Sequence, residues 1–586
     1  MCGIWALFGY EEDVPRDGAF GKIKHRGPDA WRMESEHMFH RSCLGFHRLI
    51  IVDTIYGMQP LKIHKYPHLT LLCNGEIYNC QRVEKEFGFD YETRCDVEAV
   101  MHLYAHFFEE NLANGGEPAS KKLKKDGESE VSFKECIGRL DGVFAFCLID
   151  MKRKKVYLGR DAFGVRPIFR LRGGKDNSVL GVCSEAKGLV GMSSIFGDEP
   201  WSINPVKPGC YEEYNIRSDG TMKLVSDPDG CKYYRIGDVP LYKTLVPYDE
   251  LSSSDIYANI RTLLTAAVKK RLMSNRRIGC FLSGGLDSSL ISALLVKLAK
   301  EEGISYKVQS FSIGMGESPD IVAAREVAKH IGSEHHEVNF TEKDIADALD
   351  DVIYHLETAD ITTVRASVGM YLVSKYVLKN TDSTVILSGE GADEVAQGYI
   401  YFRNAPSAED GHKESYRLLQ DLYMYDVLRA DRTTSAFSLE LRVPFLDHQF
   451  TQYYLSLPAK LRQPKDGVEK YLLRKAFDGT GLIPDSILWR HKEAFSDGVA
   501  SQKKSLFTVI QDIVESKVTD KALENACKKY PHCTPKTKES YYYRMKFEEN
   551  YPGQSHWMPY FWMPKWTNVS DPSARFISHY AAKDKI

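Results

Sequence analysis

The chain has 586 residues, 43% hydrophobic and 27% charged, with a formal net charge of −3. That length divides into at least two domains, and so neutral a balance excludes the electrostatic footprint of a nucleic-acid binder or of a protein held on an anionic membrane. No apolar run reaches the roughly 18 residues a membrane span needs, and because Met1 leads directly into folded-looking sequence, no signal peptide is expected. The 13 cysteines form no CxxC pair, so neither a disulfide framework nor a zinc site is expected and a reducing, cytoplasmic setting is.

The first element opens on Met1-Cys2-Gly3-Ile4-Trp5. Removal of Met1 would give the Cys2 thiol its own α-amino group as a neighbouring base. A thiol titrates near ~8.5 and an α-amine near ~7.7 to 8.0, so proton transfer between them is close to balanced. Short alternating strands at 69–73, 143–149 and 156–158 follow, separated by glycine turns, while Val97, Val100, Met101 and Tyr104 recur at helical spacing. Together they predict a layered α/β domain over residues 2–212.

Three clusters in this half carry chemistry. Arg48, within Gly45-Phe46-His47-Arg48-Leu49-Ile50-Ile51-Val52-Asp53, has the planar fork that captures a carboxylate bidentately. Cys73-Asn74-Gly75-Glu76 offers an oxyanion hole from Asn74 and Gly75, with Glu76 facing an ammonium group. Asp96 adds a second carboxylate beside a helix start. The stretch 114–131 contains four lysines around Leu123 and reads as a solvated insertion.

In the second half, Ile278-Gly279-Cys280-Phe281-Leu282 is a short apolar run broken by Ser283-Gly284-Gly285 before a helical pattern that starts at Leu286. Strand, glycine turn and helix aim backbone N–H groups at an anion, and Ser283, Ser288 and Ser289 add hydroxyl donors. No GxxxxGK[ST] run is present, so the lysine that reaches the terminal phosphates in many ATPases is missing. Asp287 points to metal-bound pyrophosphate instead. A second buried run, Val385-Ile386-Leu387, leads into Ser388-Gly389-Glu390-Gly391-Ala392-Asp393-Glu394. Its crowded carboxylates would repel a pyrophosphate without a metal. Asp393 is therefore a candidate metal ligand and Glu390 a candidate base, unless both merely complement a helix dipole. His335-His336 point to opposite faces of a strand and are not expected to share an ion. The aromatic stretch 541–566 is expected to pack on this domain rather than stack on bases.

Met1-Cys2-Gly3-Ile4, His25-Arg26-Gly27-Pro28-Asp29, Gly57-Met58-Gln59-Pro60, the Asn74 cluster and Leu158-Gly159-Arg160-Asp161 resemble the class II glutamine amidotransferases, which are amino-terminal-nucleophile glutaminases. The loop Ser283-Gly284-Gly285-Leu286-Asp287-Ser288-Ser289 resembles the PP-loop of ATP pyrophosphatases. Both together, with motifs around Thr362, Arg429, Leu441 and Trp489, resemble the glutamine-dependent asparagine synthetases, above all the animal members.

The resemblance implies a four-layer αββα glutaminase domain over 2–212, a linker over 213–255, an α/β PP-loop domain with extra helices over 256–566, and a tail over 567–586. It implies that Cys2 releases ammonia from glutamine. Arg48, Ile51, Val52, Asn74, Gly75, Glu76 and Asp96 would bind that substrate, with Asn74 and Gly75 on the oxyanion. It implies that aspartate is activated by ATP as β-aspartyl-AMP, with pyrophosphate and AMP released. Leu282, Ser283, Gly284, Gly285, Asp287, Ser288, Ser289, Ile313, Ser388 and Gly389 then match ATP-contacting positions, and Asp287 and Asp393 match the Mg2+ ligands. Glu390 matches the base that deprotonates ammonia, and Lys492 a lysine that stabilises phosphate charge. Thr362, Arg365 and Arg429 match positions tied to the intermediate. The expected partners are glutamine, aspartate and ATP, with no nucleic acid and no membrane; the sequence leaves a homodimer open. An enzyme that activates a different acid, and a non-catalytic descendant, are the competing readings. The first class typically lacks Cys2, and the second should have lost Cys2, Asp287 or Glu390.

Overall fold

A computed structural model describes residues 1–10, 16–36, 39–110, 133–239, 252–491, 505–569 and 571–572. The insertion at 114–131 and Lys492 lie outside the described residues. The chain folds as two compact units, Met1–Thr244 and Leu245–Ile586.

The first unit is built on two antiparallel sheets. Strands β1 (Gly3–Phe8), β2 (Ala30–Glu36) and β3 (Phe39–Arg48) belong to the first sheet, and β4 (Leu69–Ile77), β5 (Gly142–Asp150) and β6 (Lys155–Arg160) to the second. Next, β7 (Phe169–Gly173), β8 (Val179–Cys183) and β9 (Trp201–Pro205) complete the first sheet in the order β2-β3-β1-β8-β7-β9. The second sheet runs β11-β10-β6-β5-β4, where β10 is Cys210–Ile216 and β11 is Met222–Leu224; β12 (Cys231–Lys232) also pairs β10. This unit therefore runs past residue 212, into the stretch expected to be linker.

The alternation of the strands dictates the layering. Ile4, Ala6 and Phe8 of β1, Leu44 and Phe46 of β3, and Leu180 and Val182 of β8 face Leu72 of β4, Ala145, Cys147 and Ile149 of β5, and Val156 and Leu158 of β6 in one buried cluster between the sheets. Residues of opposite parity face outward onto helices. Trp5 donates from its indole to Gly188 O at 3.0 Å on the helix Lys187–Val190. Every residue of the helix Glu98–Ala105 is buried, and Tyr104 Oη donates to Asp150 Oδ2 at 2.7 Å. The result is the four-layer αββα arrangement.

The second unit carries five parallel strands: β13 (Arg277–Phe281), β14 (Gln309–Gly314), β15 (Glu334–Asn339), β16 (Ser383–Leu387) and β17 (Glu440–Arg442), in the order β15-β14-β13-β16-β17. Val385, Ile386 and Leu387 are at or near 0% exposure, as expected of a central parallel strand covered on both faces. Strand order reverses beside β13, whose neighbours are β14 and β16. Open α/β sheets bind ligands in the crevice at such a switch point, beyond the carboxyl ends of the strands. Among the described residues, no helix is long and apolar enough to cross a membrane.

Candidate active sites

In the first unit the site forms where the start of β1 meets β4. The Cys2 backbone N–H donates to Asn74 Oδ1 at 2.8 Å, and Arg26 Nε donates to Cys2 O at 3.0 Å. Arg26 is itself fixed by Glu185, at 2.5 Å with both side chains fully buried. The Leu49 amide points at Cys2 Sγ from 3.5 Å, and the thiol faces Leu49 O at 3.7 Å. Met1 is buried beside Cys2, its sulfur 3.0 Å from Arg166 Nη1.

Asn74 is fully buried, and its Nδ2 has no acceptor among the described residues. An unpaired buried amide donor costs about 1–3 kcal/mol unless a ligand uses it. Gly75 follows at φ +148°, and a Cβ there would lie 2.0 Å from Val143 O on β5, so only glycine permits this backbone.

Arg48 sits at the end of β3, buried, with its guanidinium donating to Asp53 O. Gly57 leaves it room, since a Cβ at that position would lie 2.6 Å from Arg48 Nη2. Burial pushes the Asp53 carboxyl up, but the amides of Tyr56, Ile55 and Arg94 outweigh it and hold the group below its usual range. Gln59 braces β4 by exchanging two hydrogen bonds with the Cys73 backbone, at 3.0 and 2.6 Å. Asp96 accepts from the Ile77 amide at 2.6 Å. Ile51 is buried and Val52 half-buried in the loop after Arg48.

Sequence reasoning missed Arg166, which pairs with Glu76 at 3.0 Å where both are buried. The signal lay in Leu158-Gly159-Arg160-Asp161. Asp161 accepts from the amides of Phe163, Val165 and Arg166 at 3.1, 2.9 and 2.9 Å, folding a turn that delivers Arg166 to Glu76.

In the second unit, the turns after β13 and β16 come together at the switch point. Ser283, Gly285, Leu286, Asp287, Ser288, Ser388, Gly389, Glu390, Asp393 and Arg429 all line one cleft. Contact between the turns requires Gly389, where a Cβ would lie 2.8 Å from Asp287 Cβ. The helix Leu286–Glu301 starts here, capped by Gly285 with no side-chain hydrogen bond, which leaves its first N–H groups for an anion.

The serines divide their roles. Ser283 and Ser288 bond each other, Oγ to Oγ at 3.0 Å, and Ser288 Oγ accepts from the Ser283 amide at 3.1 Å, which braces the loop. Ser289 is fully buried and, with Leu282, Gly284 and Ile313, is not among the cleft-lining residues.

Glu390 Oε2 accepts from Arg429 Nη2 at 2.7 Å, and Arg429 also meets Asp426 Oδ1 at 3.1 Å. Burial pulls the Arg429 guanidinium down, but Glu390 and Asp426 outweigh it and hold it charged. Burial, with the charge of Asp426 alongside, pushes the Glu394 carboxyl well above its usual range.

Arg365 does not line the cleft. Its guanidinium is shared between Glu539, at 3.1 and 2.7 Å, and Asp571, at 3.0 Å to both carboxylate oxygens, so it ties the helix Ile361–Asn380 to the carboxy-terminal segment. Thr362 Oγ1 is buried and has no partner among the described residues. His335 is held by Ser310 and Ser312, whereas His336 contacts Tyr376 and Glu334, so the two do not share a ligand. Trp562 and Trp566 of the aromatic stretch pack against Tyr399, Tyr401 and Phe402.

The residue that sequence reasoning missed outright is Lys470. It lines the cleft at 2% exposure, with its ammonium 2.5 Å from both Asp287 Oδ2 and Asp393 Oδ1. Its backbone takes φ +55°, a conformation uncommon for a residue with a side chain and enriched at functional sites. Glu469, beside it, also lines the cleft, and its buried Oε2 has no partner among the described residues.

Comparison with known proteins agrees with this geometry. Residues 259–411 and 403–574 match the family described as asparagine synthase, and residues 46–191 match a glutamine amidotransferase domain. The chain is 52% identical to a glutamine-hydrolysing asparagine synthetase of Gallus gallus, covering 99% of each chain. It is 51% identical to those of Bos taurus and Homo sapiens, covering 100% of each. With a Cys2 site on an αββα unit and a cleft at the switch point of a parallel sheet, the chain belongs to the glutamine-hydrolysing asparagine synthetase family.

Proposed function

We propose that this protein makes asparagine from aspartate in an ATP-dependent reaction, with glutamine as the nitrogen donor. The observation that carries the reading is the pair Asp287 and Asp393, brought from two separate turns onto a single cation at the switch point. That is the charge pattern a metal-bound polyphosphate needs.

In the first unit, Arg48 holds the glutamine carboxylate while Glu76 and Asp96 hold its ammonium. With Met1 removed, the α-amine of Cys2 takes the thiol proton, the sulfur attacks the side-chain amide carbon, and the oxyanion is received by Asn74 Nδ2 and the Gly75 N–H. The protonated amine then gives its proton to the departing ammonia. Water releases glutamate from the thioester.

In the second unit, the first N–H groups of the helix Leu286–Glu301 hold phosphate oxygens. The side-chain carboxylate of aspartate attacks the α-phosphorus, the bond to the β-phosphate breaks, and pyrophosphate leaves. Ammonia then attacks the acyl carbon, Glu390 takes its proton, and AMP departs. Arg429 orients Glu390, and Thr362 and Arg365 act through the position of their helix. Lys492 would balance phosphate charge.

The residues present fit Mg2+: Asp287 Oδ1 is buried without a hydrogen-bond partner among the described residues, and carboxylate oxygens are the ligands this ion takes. Asp287 and Asp393 would hold it, and when bound it neutralises charge on the leaving pyrophosphate. The test is a product assay with glutamine, aspartate and Mg-ATP. Asparagine, glutamate, AMP and pyrophosphate should form in step. ADP and orthophosphate as primary products would reject the PP-loop chemistry, and a product from another acid in place of asparagine would reject the acceptor.

A further inference from the structure

We propose that Lys470 is a tethered counter-cation that keeps the divalent-metal site shut until nucleotide arrives, so that metal enters only together with phosphate. The inference rests on reading this cleft as the nucleotide site.

The ammonium lies 2.5 Å from one oxygen of each aspartate. A Mg2+ ion takes carboxylate oxygens at about 2.1 Å, so an ion seated on the remaining Asp287 oxygen, Oδ1, would lie within a few ångströms of the ammonium, and the two cations would repel each other. The side chain is 2% exposed, so it does not trade its place for water. A glycine permits the arrangement: a Cβ on Gly398 would lie 1.9 Å from Lys470 Cε and 2.0 Å from Asp393 Oδ1.

Lys470 also begins the helix Tyr471–Phe477, where its carbonyl accepts from the Arg474 amide at 2.9 Å. The backbone is thereby anchored, and only the flexible stem can move. Phosphate oxygens arriving at the amino terminus of the helix Leu286–Glu301 give the ammonium a new acceptor, and that turn uncovers the aspartates for the metal. Metal and nucleotide then bind with positive coupling. Ordinary site-to-site coupling is about 5- to 150-fold.

The experiment is Mn2+ binding to the full chain, followed by electron paramagnetic resonance without nucleotide. Wild-type protein should bind Mn2+ weakly in the cleft and about 10- to 100-fold more tightly once a non-hydrolysable ATP analogue is added. Lys470→Met should gain tight Mn2+ binding without nucleotide, and adding Asp287→Asn should abolish that gain. Lys470→Gln fills the same space without charge and serves if Lys470→Met fails to fold, while Lys470→Arg should keep the site shut. Tight, stoichiometric Mn2+ uptake by nucleotide-free wild-type protein would overturn the proposal, as would no gain in either neutral variant. Wild-type conversion of aspartate, glutamine and Mg-ATP to asparagine, glutamate, AMP and pyrophosphate tests the parent reading separately, whichever way the Mn2+ result falls.

Discussion

Replacing Asn74 by alanine removes two features that the structure separates. Its Oδ1 accepts from the Cys2 nitrogen at 2.8 Å, and its Nδ2 is the buried donor without a partner. Losing one oxyanion donor costs about 2.7–4 kcal/mol of transition-state stabilisation, or ~10²- to 10³-fold in kcat. Losing the acceptor for Cys2 adds about 1 kcal/mol at most, as a single hydrogen bond. Glutaminase kcat should therefore fall by ~10²- to 10⁴-fold with a smaller change in KM, because the donor matters most when charge develops on the oxygen. Asn74→Asp separates the two roles: it keeps an acceptor for Cys2 but sets a carboxylate against the oxyanion, and it should be at least as impaired as the alanine variant. Glutamate release would be measured first, then asparagine formation from ammonium salts, which depends on the other unit and should stay near wild type. A glutaminase rate within a few-fold of wild type in Asn74→Ala, or a normal rate in Asn74→Asp, would refute the assignment.

Glu390→Gln should cut asparagine formation by ~10²- to 10⁴-fold with ATP affinity nearly unchanged; near-normal synthesis would leave Glu390 as a partner of Arg429 only. A retained Met1, enforced by an amino-terminal extension, should abolish glutamine-dependent synthesis and spare ammonia-dependent synthesis, and intact mass of active enzyme should begin at Cys2. His47 is stacked on Phe20 with ring centroids 3.8 Å apart and bonded to Phe20 O at 3.1 Å, and burial lowers it from 6.5 to about 4. Because the folded state binds fewer protons than the unfolded chain in that window, its contribution of about 3 kcal/mol is complete above pH 6.5 and is lost as pH falls through about 4. Chemical unfolding at pH 7.5 and pH 5 should show a smaller loss of stability in His47→Gln than in wild type, and equal losses would contradict this origin.

The sequence by itself determined the parts whose chemistry is local. An amino-terminal cysteine needs no tertiary contact to bring thiol and α-amine together. A strand, a glycine turn and a helix aim N–H groups at an anion whatever surrounds them, which is why 283–289 could be read as a phosphate loop. The strand stretches 143–149 and 156–158 could likewise be read locally, although β5 is buried on both faces, so which of its residues enter the core between the sheets was not legible. Tertiary structure decided which distant charges meet. Lys470 reaches Asp287 across 183 residues and Arg166 reaches Glu76 across 90, and no spacing rule connects either pair. The same holds for what leaves a site: Ser289 is fully buried and does not line the cleft, and Arg365 is taken by Glu539 and Asp571. Backbone propensity and hydrogen bonding act over a few residues, whereas the partner of a buried charge depends on which turns the sheet order places side by side, and here that order reverses beside β13.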